Sequence, residues 1–127
     1  MEKIKALLVK PNELPLEIEL HNTLKAKEKL VGGLIEVAYL NNTKDDICLI
    51  CNENAKIENL PINRFLGNQF IYGDFLVVGD AYETGDFKSL SKKQIKYYQN
   101  YFGKESIDKT TSRIIARKLA NALFRRR

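Results

Sequence analysis

Residues 70–82 read FIYGDFLVVGDAY, and this stretch gives the clearest prediction of the fold. Aromatic and branched residues favour β-structure because they pack well on a pleated surface, so the run is predicted to form the strongest strand of the chain. Gly73 lies inside the run, and an isolated glycine within a strand is typical of a bulge. We therefore expect one strand that carries a bulge at Gly73.

The sequence before this stretch predicts further strands and one short helix. Alternating apolar and polar residues predict strands at residues 4–10, 16–20 and 34–40. The turn-forming NNTKDD then connects the third of these strands to a returning strand, ICLICNEN. Asn22 is expected to cap a helix that ends at Gly32 and Gly33. Residues 55–69, AKIENLPINRFLGNQ, lack regular periodicity and are expected to form an ordered loop.

The sequence after residue 82 predicts a connector, ETGDFKSL, and two helices. Ser91 and Gln94 are spaced as a capping box at the start of SKKQIKYYQNYF, and Gly103 is expected to end that helix. The second helix is SIDKTTSRIIARKLANALFRRR, residues 106–127. We expect a single α+β domain over residues 1–127, with a small, mostly antiparallel sheet, one short helix and two C-terminal helices. Residues 1–90 would form the sheet-rich body and residues 91–127 the C-terminal helices.

The charge of the chain favours an anionic partner. The formal net charge is +5, and the excess lies near the C-terminus, where Glu105 and Asp108 are the only acids after Lys104. Such an asymmetry suits a nucleic acid, a nucleotide or an acidic membrane surface. No apolar run approaches the length needed to span a bilayer, and the N-terminus lacks the apolar core of a signal peptide. Cys48 and Cys51 are expected to be core cysteines in a reducing cytoplasm, so the predicted location is cytoplasmic.

Catalytic and metal-binding patterns are weak in this sequence. It contains one histidine, His21, and none of the common hydrolase, metalloprotease or phosphate-loop motifs. A zinc site would need two ligands besides the cysteines. The acids are scattered, although the fold could still bring two of them together. We predict a protein that is not an enzyme and that uses neither a metal nor another cofactor.

Three polar residues of the last helix form the best candidate for a ligand site. Arg113, Arg117 and Asn121 are spaced at i, i+4 and i+8, so their side chains share one face of the helix. Two guanidiniums held this close repel each other unless an anion lies between them, which makes a phosphate clamp plausible. The alternative is a solvated basic face. A neighbouring apolar stripe, consisting of Ile107, Ile114, Ile115, Leu119, Ala122 and Leu123, is expected to fix the arginine backbone by packing and to leave the guanidiniums free.

Aromatic residues offer stacking surfaces for a base. The segment YYQNYF belongs to the helix that begins after Ser91, and Ile95, Tyr98 and Phe102 are its expected core face. Tyr97 and Tyr101 would lie nearer the rim, where they either stack on a ligand or complete the core. Arg64 is a further candidate for ligand binding. A loop arginine flanked by apolar residues can equally be structural, with its donors bonded to backbone carbonyls.

Four blocks of the sequence resemble a known family. They are LVGGLIEVAYL, DDICLICNENAKIENLPINR, YGDFLVVGD and GDFKSLSKKQIKYYQNYF, and they lie between residues 30 and 102. They resemble a domain of unknown function that is common in phages and plasmids of Gram-positive bacteria. A strand-rich body followed by two helices is also similar to the first class of phage anti-Thoeris sponge proteins. Those proteins bind cyclic ADP-ribose isomers, some also bind cyclic oligonucleotides, and they sequester the signal without cleaving it.

The resemblance implies a homo-oligomer, at least a dimer, with ligand sites between protomers. It also implies that Arg113 and Arg117 bind the phosphates, that Phe87 or Tyr82 stacks on the base, and that Asn100 reads a base edge. The predicted function is therefore a counter-defence protein of a phage or mobile element that sequesters a cyclic nucleotide in the host cytoplasm. Two alternatives are a nucleic-acid-binding module that uses the basic C-terminal helix, and an enzyme that degrades a nucleotide.

Overall fold

The computed structural model describes residues 2–40, 46–81 and 86–124. The described strands are β1 (Lys3–Val9), β2 (Leu16–His21), β3 (Ile35–Ala38), β4 (Ile47–Asn52), β5 (Ile62–Leu66), β6 (Gln69–Tyr72), β7 (Phe75–Ala81) and β8 (Asp86–Lys88). The described helices are α1 (Leu24–Val31), α2 (Lys92–Tyr101) and α3 (Lys104–Phe124). This architecture confirms the predicted α+β class.

The main sheet is antiparallel throughout its described pairs and is built around β7. The strand order is β2-β1-β7-β4-β3, and β8 pairs with the end of β7. Six consecutive residues of β7, from Phe75 to Asp80, are buried. The strand that the sequence predicted most clearly is therefore the central one.

The main sheet buries a hydrophobic cluster on each face. Side chains alternate along a strand, so Phe75 and Val77 of β7 face one cluster while Leu76 and Val78 face the other. The first cluster is completed by Ile95 and Tyr98 of α2 and by Phe102, which follows the helix. Residues of α1 complete the second cluster, among them Val31. We call these two sides the α2 face and the α1 face of the sheet.

Two predictions about residues 55–82 are wrong. Part of the expected loop is strand β5, which pairs with β6 as a separate antiparallel hairpin. The expected single strand with a bulge is two strands, because Gly73 adopts φ 76° and the chain leaves the hairpin there to enter the main sheet as β7. A Cβ atom at Gly73 would lie 2.9 Å from Cδ1 of Leu60, so the position is also too crowded for a side chain.

The predicted helix ends agree with the structure except at the start of α1. The predicted capping box of Ser91 and Gln94 is present in α2, and Gly32 ends α1 with φ 81°. The N-cap of α1 is Thr23 rather than Asn22, and its hydroxyl accepts a hydrogen bond from the amide of Ala26 at 3.1 Å. The Asn22 side chain instead joins two elements, since it donates to the carbonyl of Phe87 at 2.9 Å.

The two C-terminal helices follow each other closely. Only Phe102 and Gly103 separate α2 from α3. Helix α3 packs against the β5–β6 hairpin, and Thr110 is the only buried residue among those described for this helix. None of the described helices is both long and apolar enough to cross a membrane.

Candidate functional site

Helix α3 lies on an aromatic pair of the β5–β6 hairpin. The strand register places Phe65 opposite Phe70, and their ring centroids are 5.2 Å apart in an edge-to-face arrangement. Cζ of Arg113 lies 4.8 Å from the Phe65 centroid, and Cζ of Arg117 lies 4.8 Å from the Phe70 centroid. The Thr110 hydroxyl accepts a hydrogen bond from the amide of Phe65 at 2.9 Å. The arginine stripe is therefore attached to the hairpin by two cation–π contacts and one hydrogen bond.

The apolar stripe of α3 is packed only in part. Ile107 and Ile114 are half-buried, whereas Ile115, Leu119 and Leu123 are 53%, 60% and 67% exposed. The hairpin presents aromatic rings to the arginines, and guanidiniums stack well on such rings. The arginines are therefore positioned by the first part of the stripe and by their own ring contacts, and the C-terminal part of the stripe is left exposed.

The two guanidiniums keep their hydrogen-bond donors available. Arg113 and Arg117 are both exposed. None of the hydrogen bonds or ion pairs found in residues 2–40, 46–81 and 86–124 involves either guanidinium. A guanidinium that lies over a ring uses its face for that contact, and the N–H groups on its edge can still bind a carboxylate or phosphate. The arrangement is thus an ordered pair of cations with unused donors.

Arg117 also borders a cleft of about 720 Å³. One wall is the β5–β6 hairpin, and the floor is the α2 face of β3 and β4. Leu49 and Cys51 of β4 line this floor, together with Ala38 of β3. Tyr101 of α2 also lines the cleft. Ligand pockets typically measure about 300–1,000 Å³, so a mononucleotide-sized molecule fits the volume.

The lining of the cleft combines aromatic rings with charges of both signs. The aromatic residues are Tyr39, Phe70, Tyr72 and Tyr101, and the charged residues are Glu36, Glu53, Lys56 and Arg117. Amide side chains at the hairpin tip, Asn68 and Gln69, are also present. Rings that can stack on a base therefore occur beside a cation that can bind a phosphate.

Comparison with known families identifies the body of the chain. The family model of the domain of unknown function DUF3846 matches residues 4–103. The chain belongs to this family. Comparison with curated proteins and with solved structures finds no match. The matched region of the DUF3846 domain ends at Gly103, so Arg113 and Arg117 lie just beyond it on α3.

Phe87, which the resemblance offers for base stacking, is remote from the arginines within one chain. Its ring packs against the cluster on the α1 face, and Nζ of Lys27 lies 5.1 Å from the ring centroid. The hairpin and Arg117 lie on the α2 side of the DUF3846 sheet. A single protomer therefore does not bring Phe87 and Arg117 to one site. Tyr82, the other candidate, lies outside the described residues.

Asn100 and Asn121, the two asparagines predicted to bind the ligand, are both exposed. Asn121 lies in the last described turn of α3, one helical turn beyond Arg117. Asn100 lies on α2, two residues after the buried Tyr98 and therefore on the opposite side of the helix. Asn100 is thus separated from the core face of α2, whereas Asn121 continues the arginine stripe.

Sequence reasoning missed the aromatic residues that the arginines contact. Phe65 and Phe70 flank the turn Gly67–Asn68, in a stretch that was expected to be a loop. Two aromatic residues symmetrically placed about a Gly-Asn turn are a hairpin signal that could have indicated them. The expected rim position of Tyr97 and Tyr101 is confirmed, since they are 56% and 42% exposed.

Arg64 has a structural role rather than the ligand-binding role considered from the sequence. Its side chain is completely buried. Nη2 donates to the carbonyls of Glu13 at 2.6 Å and Phe102 at 2.8 Å, and Nη1 donates to the carbonyl of Lys10 at 3.3 Å. Arg64 therefore joins the β1–β2 loop, the hairpin and the end of α2. Its buried donors are bonded to carbonyls and do not reach a ligand at the surface.

The environment of Arg64 still keeps it charged at neutral pH. Burial lowers the pKa of its guanidinium to about 10. The carbonyl acceptors around it, with Oδ1 of Asn63 at 2.9 Å from Nη1, favour the charged form. This buried cation holds the hairpin in place and so fixes the wall of the cleft.

The two cysteines lie on opposite faces of the sheet, and Cys48 is buried while Cys51 is half-buried. Cys48 belongs to the cluster on the α1 face, and Cys51 packs against the cluster on the α2 face. Burial, and to a smaller extent the charge of Glu36, raises the pKa of the Cys51 thiol to about 11. Cys51 therefore lines the cleft as a neutral thiol. In the part of the chain that the structure describes, no three His, Cys, Asp or Glu residues are grouped so as to hold a metal ion.

Proposed function

We propose that this protein binds a small cyclic nucleotide and sequesters it without cleaving it. The observation that carries the proposal is the position of Arg117, whose guanidinium lies on Phe70 with its donors unused beside a cleft of about 720 Å³. A cation held by a ring contact needs little further ordering when a phosphate arrives. The site is thus organised before the ligand binds.

In the proposed complex, the arginines bind phosphate and the cleft takes the nucleoside. Arg113 and Arg117 are one helical turn apart, which suits two neighbouring phosphates of a pyrophosphate. The base would stack on exposed rings of the cleft, of which Tyr39 and Tyr101 are 59% and 42% exposed. The ligand would be released unchanged, because the site is used for binding alone.

The nature of the nucleotide follows from the similarity of a strand-rich body followed by two helices to the phage sponge proteins. That resemblance favours a cyclic ADP-ribose isomer, with cyclic oligonucleotides as further ligands. The protein would then act in the cytoplasm of a bacterial host as a counter-defence factor of a phage or mobile element. Membership of the DUF3846 family is consistent with this proposal and does not by itself assign a ligand.

The proposal includes self-association. Ile115, Leu119, Leu123 and Phe124 are all more than half exposed on one projecting helix. Contiguous apolar surface of this kind is typical of protein–protein interfaces. A second copy of α3 that covers it would form a dimer, and would let residues of one protomer approach the arginines of the other.

A nucleic-acid-binding module is the second candidate. The basic residues of α3 favour it, since Lys104, Lys109 and Lys118 accompany the two arginines. Salt dependence separates the two functions, because a protein that displaces several counterions from DNA loses affinity steeply as salt increases. A pocket that binds one pyrophosphate loses much less.

Recovery of the ligand tests sequestration against degradation. The protein would be incubated with cyclic ADP-ribose, freed of unbound compound, and then denatured by heat. Release of intact cyclic ADP-ribose supports a sponge. Products that accumulate in proportion to time would assign the nucleotide-degrading alternative instead.

A further inference from the structure

The floor of the cleft carries two carboxylates on its open side. The register of β3 and β4 places Glu36 opposite Cys51. The amide of Glu53 donates to the carbonyl of Leu34 at 2.8 Å, so the pairing continues one step beyond β4. Residues two apart in a strand face the same side, and therefore Glu36 and Glu53 are diagonal neighbours on the same face as Cys51.

Both carboxylates are available to a ligand. Glu36 and Glu53 are exposed and line the cleft. No hydrogen bond or ion pair found within the described ranges uses either side chain. Glu36 also lies close enough to the floor of the cleft for its negative charge to help burial raise the pKa of the Cys51 thiol.

The cleft contains cations as well as carboxylates. Arg117 approaches from the helix and hairpin side, Glu36 and Glu53 lie at the sheet, and Lys56 lies in the turn after β4. Ionised carboxylates only accept hydrogen bonds, and they repel phosphate. A bound molecule must therefore present its anionic group to the cations and uncharged hydrogen-bond donors to the two carboxylates. A ribose with free hydroxyls has this character, and carboxylates are common partners of ribose hydroxyls in nucleotide sites.

We infer that the cleft selects a nucleotide with free ribose hydroxyls, which bond to Glu36 and Glu53 while its phosphates bind Arg117. The inference rests on the proposed function and adds the orientation of the ligand and the residues that set its specificity. Polyanions without an exposed ribose, including duplex DNA, would be repelled by the floor of the cleft.

The test compares two ligands with a set of matched variants. Cyclic ADP-ribose and its 2′-deoxy analogue are titrated calorimetrically into the wild-type protein and into Glu36→Gln, Glu53→Gln and Arg117→Ala. Glu19→Gln is the control, because Glu19 is an exposed residue of β2 at the opposite edge of the sheet. One hydrogen bond to a charged group is worth about tenfold or more in affinity, so the wild type should prefer cyclic ADP-ribose by about that factor.

Each outcome has a definite meaning. Loss of the preference in Glu36→Gln or Glu53→Gln, with an unchanged Glu19→Gln control, supports the inference. If both glutamine variants bind both ligands more tightly, or if they keep the preference, the carboxylates do not contact ribose and the inference is overturned. In that case weaker binding by Arg117→Ala still upholds the proposed function. Failure of the wild type to bind either ligand overturns both.

Discussion

The guanidinium carbon of Arg117 lies 4.8 Å from the centre of the Phe70 ring in the β5–β6 hairpin. This contact holds the arginine stripe of α3 against the hairpin. The C-terminal part of the apolar stripe, which includes Ile115, Leu119 and Leu123, remains exposed. Both proposed interactions, phosphate binding and self-association, depend on this one orientation.

The contact between Arg117 and Phe70 should be measurable as a coupling energy. Phe70→Leu removes the ring and should lower the free energy of unfolding by about 1–2 kcal/mol, because both the edge-to-face pair and the cation–π contact are lost. In a double-mutant cycle with Arg117→Ala, urea unfolding should give a coupling of about 0.5–1 kcal/mol. A cycle between Arg117 and Phe65 is the control and should give less. Equal coupling in the two cycles would contradict the observed pairing.

Arg64→Ala should destabilise the protein severely. The substitution leaves the carbonyls of Lys10, Glu13 and Phe102 without these donors and empties a fully buried site, so we expect a loss of roughly 3–5 kcal/mol in the free energy of unfolding. Arg64→Lys should recover part of this loss, because it restores the charge without the planar set of donors. Arg113→Ala is the comparison, and its effect on stability should stay below about 1 kcal/mol. Similar stabilities for Arg64→Ala and Arg113→Ala, measured by urea titration, would refute the structural role.

The free energy of unfolding should fall at alkaline pH because the Cys51 thiol has a raised pKa in the folded protein. The thiol has an ordinary pKa of 9.0 and a folded-state pKa of about 11. Between these values the folded protein keeps the proton that the unfolded chain has lost, so the contribution of the thiol is complete below pH 9 and disappears as pH rises through 11. The stability difference between the wild type and Cys51→Ala should therefore shrink across this range. A difference that stays constant from pH 8 to pH 11 would show that the Cys51 thiol is not shifted.

The exposed stripe of α3 should mediate self-association. Light scattering should give at least a dimer mass in the micromolar range, and Leu119→Glu should reduce it to that of a monomer, because a charge on the stripe opposes its burial. Ile57→Glu is the matched control, since Ile57 is 85% exposed and lies outside α3. A monomer mass for the wild type across the micromolar range would contradict the proposed dimer.

Local signals in the sequence were sufficient for some elements and insufficient for others. The apolar run of β7 and the capping box at Ser91 depend on neighbouring residues, and both were predicted. The hairpin was missed because Asn63 and Arg64 are buried polar residues whose partners are far away in sequence, such as the carbonyls of Val9 and Phe102. No alternation pattern can indicate such partners.

The candidate site was predicted only in part, for a similar reason. The i, i+4 spacing of Arg113 and Arg117 placed them on one helix face, and the structure agrees. The surface beneath them could not be predicted, because Phe65 and Phe70 lie more than forty residues earlier in the chain. Glu36 and Glu53 likewise become neighbours only through the register of β3 and β4.

The most direct test of nucleotide sequestration is calorimetric titration of cyclic ADP-ribose into the wild type, Arg117→Ala and Lys118→Ala. Lys118 is the control because it is an exposed cation at the next position of the same helix. Charge-assisted bonds to phosphate contribute about 1.5–3 kcal/mol, so Arg117→Ala should bind at least about tenfold more weakly with unchanged thermal unfolding. We predict saturable binding by the wild type and a change below about twofold for Lys118→Ala. Equal small losses in both variants, or no binding by the wild type, would contradict a phosphate site at Arg117.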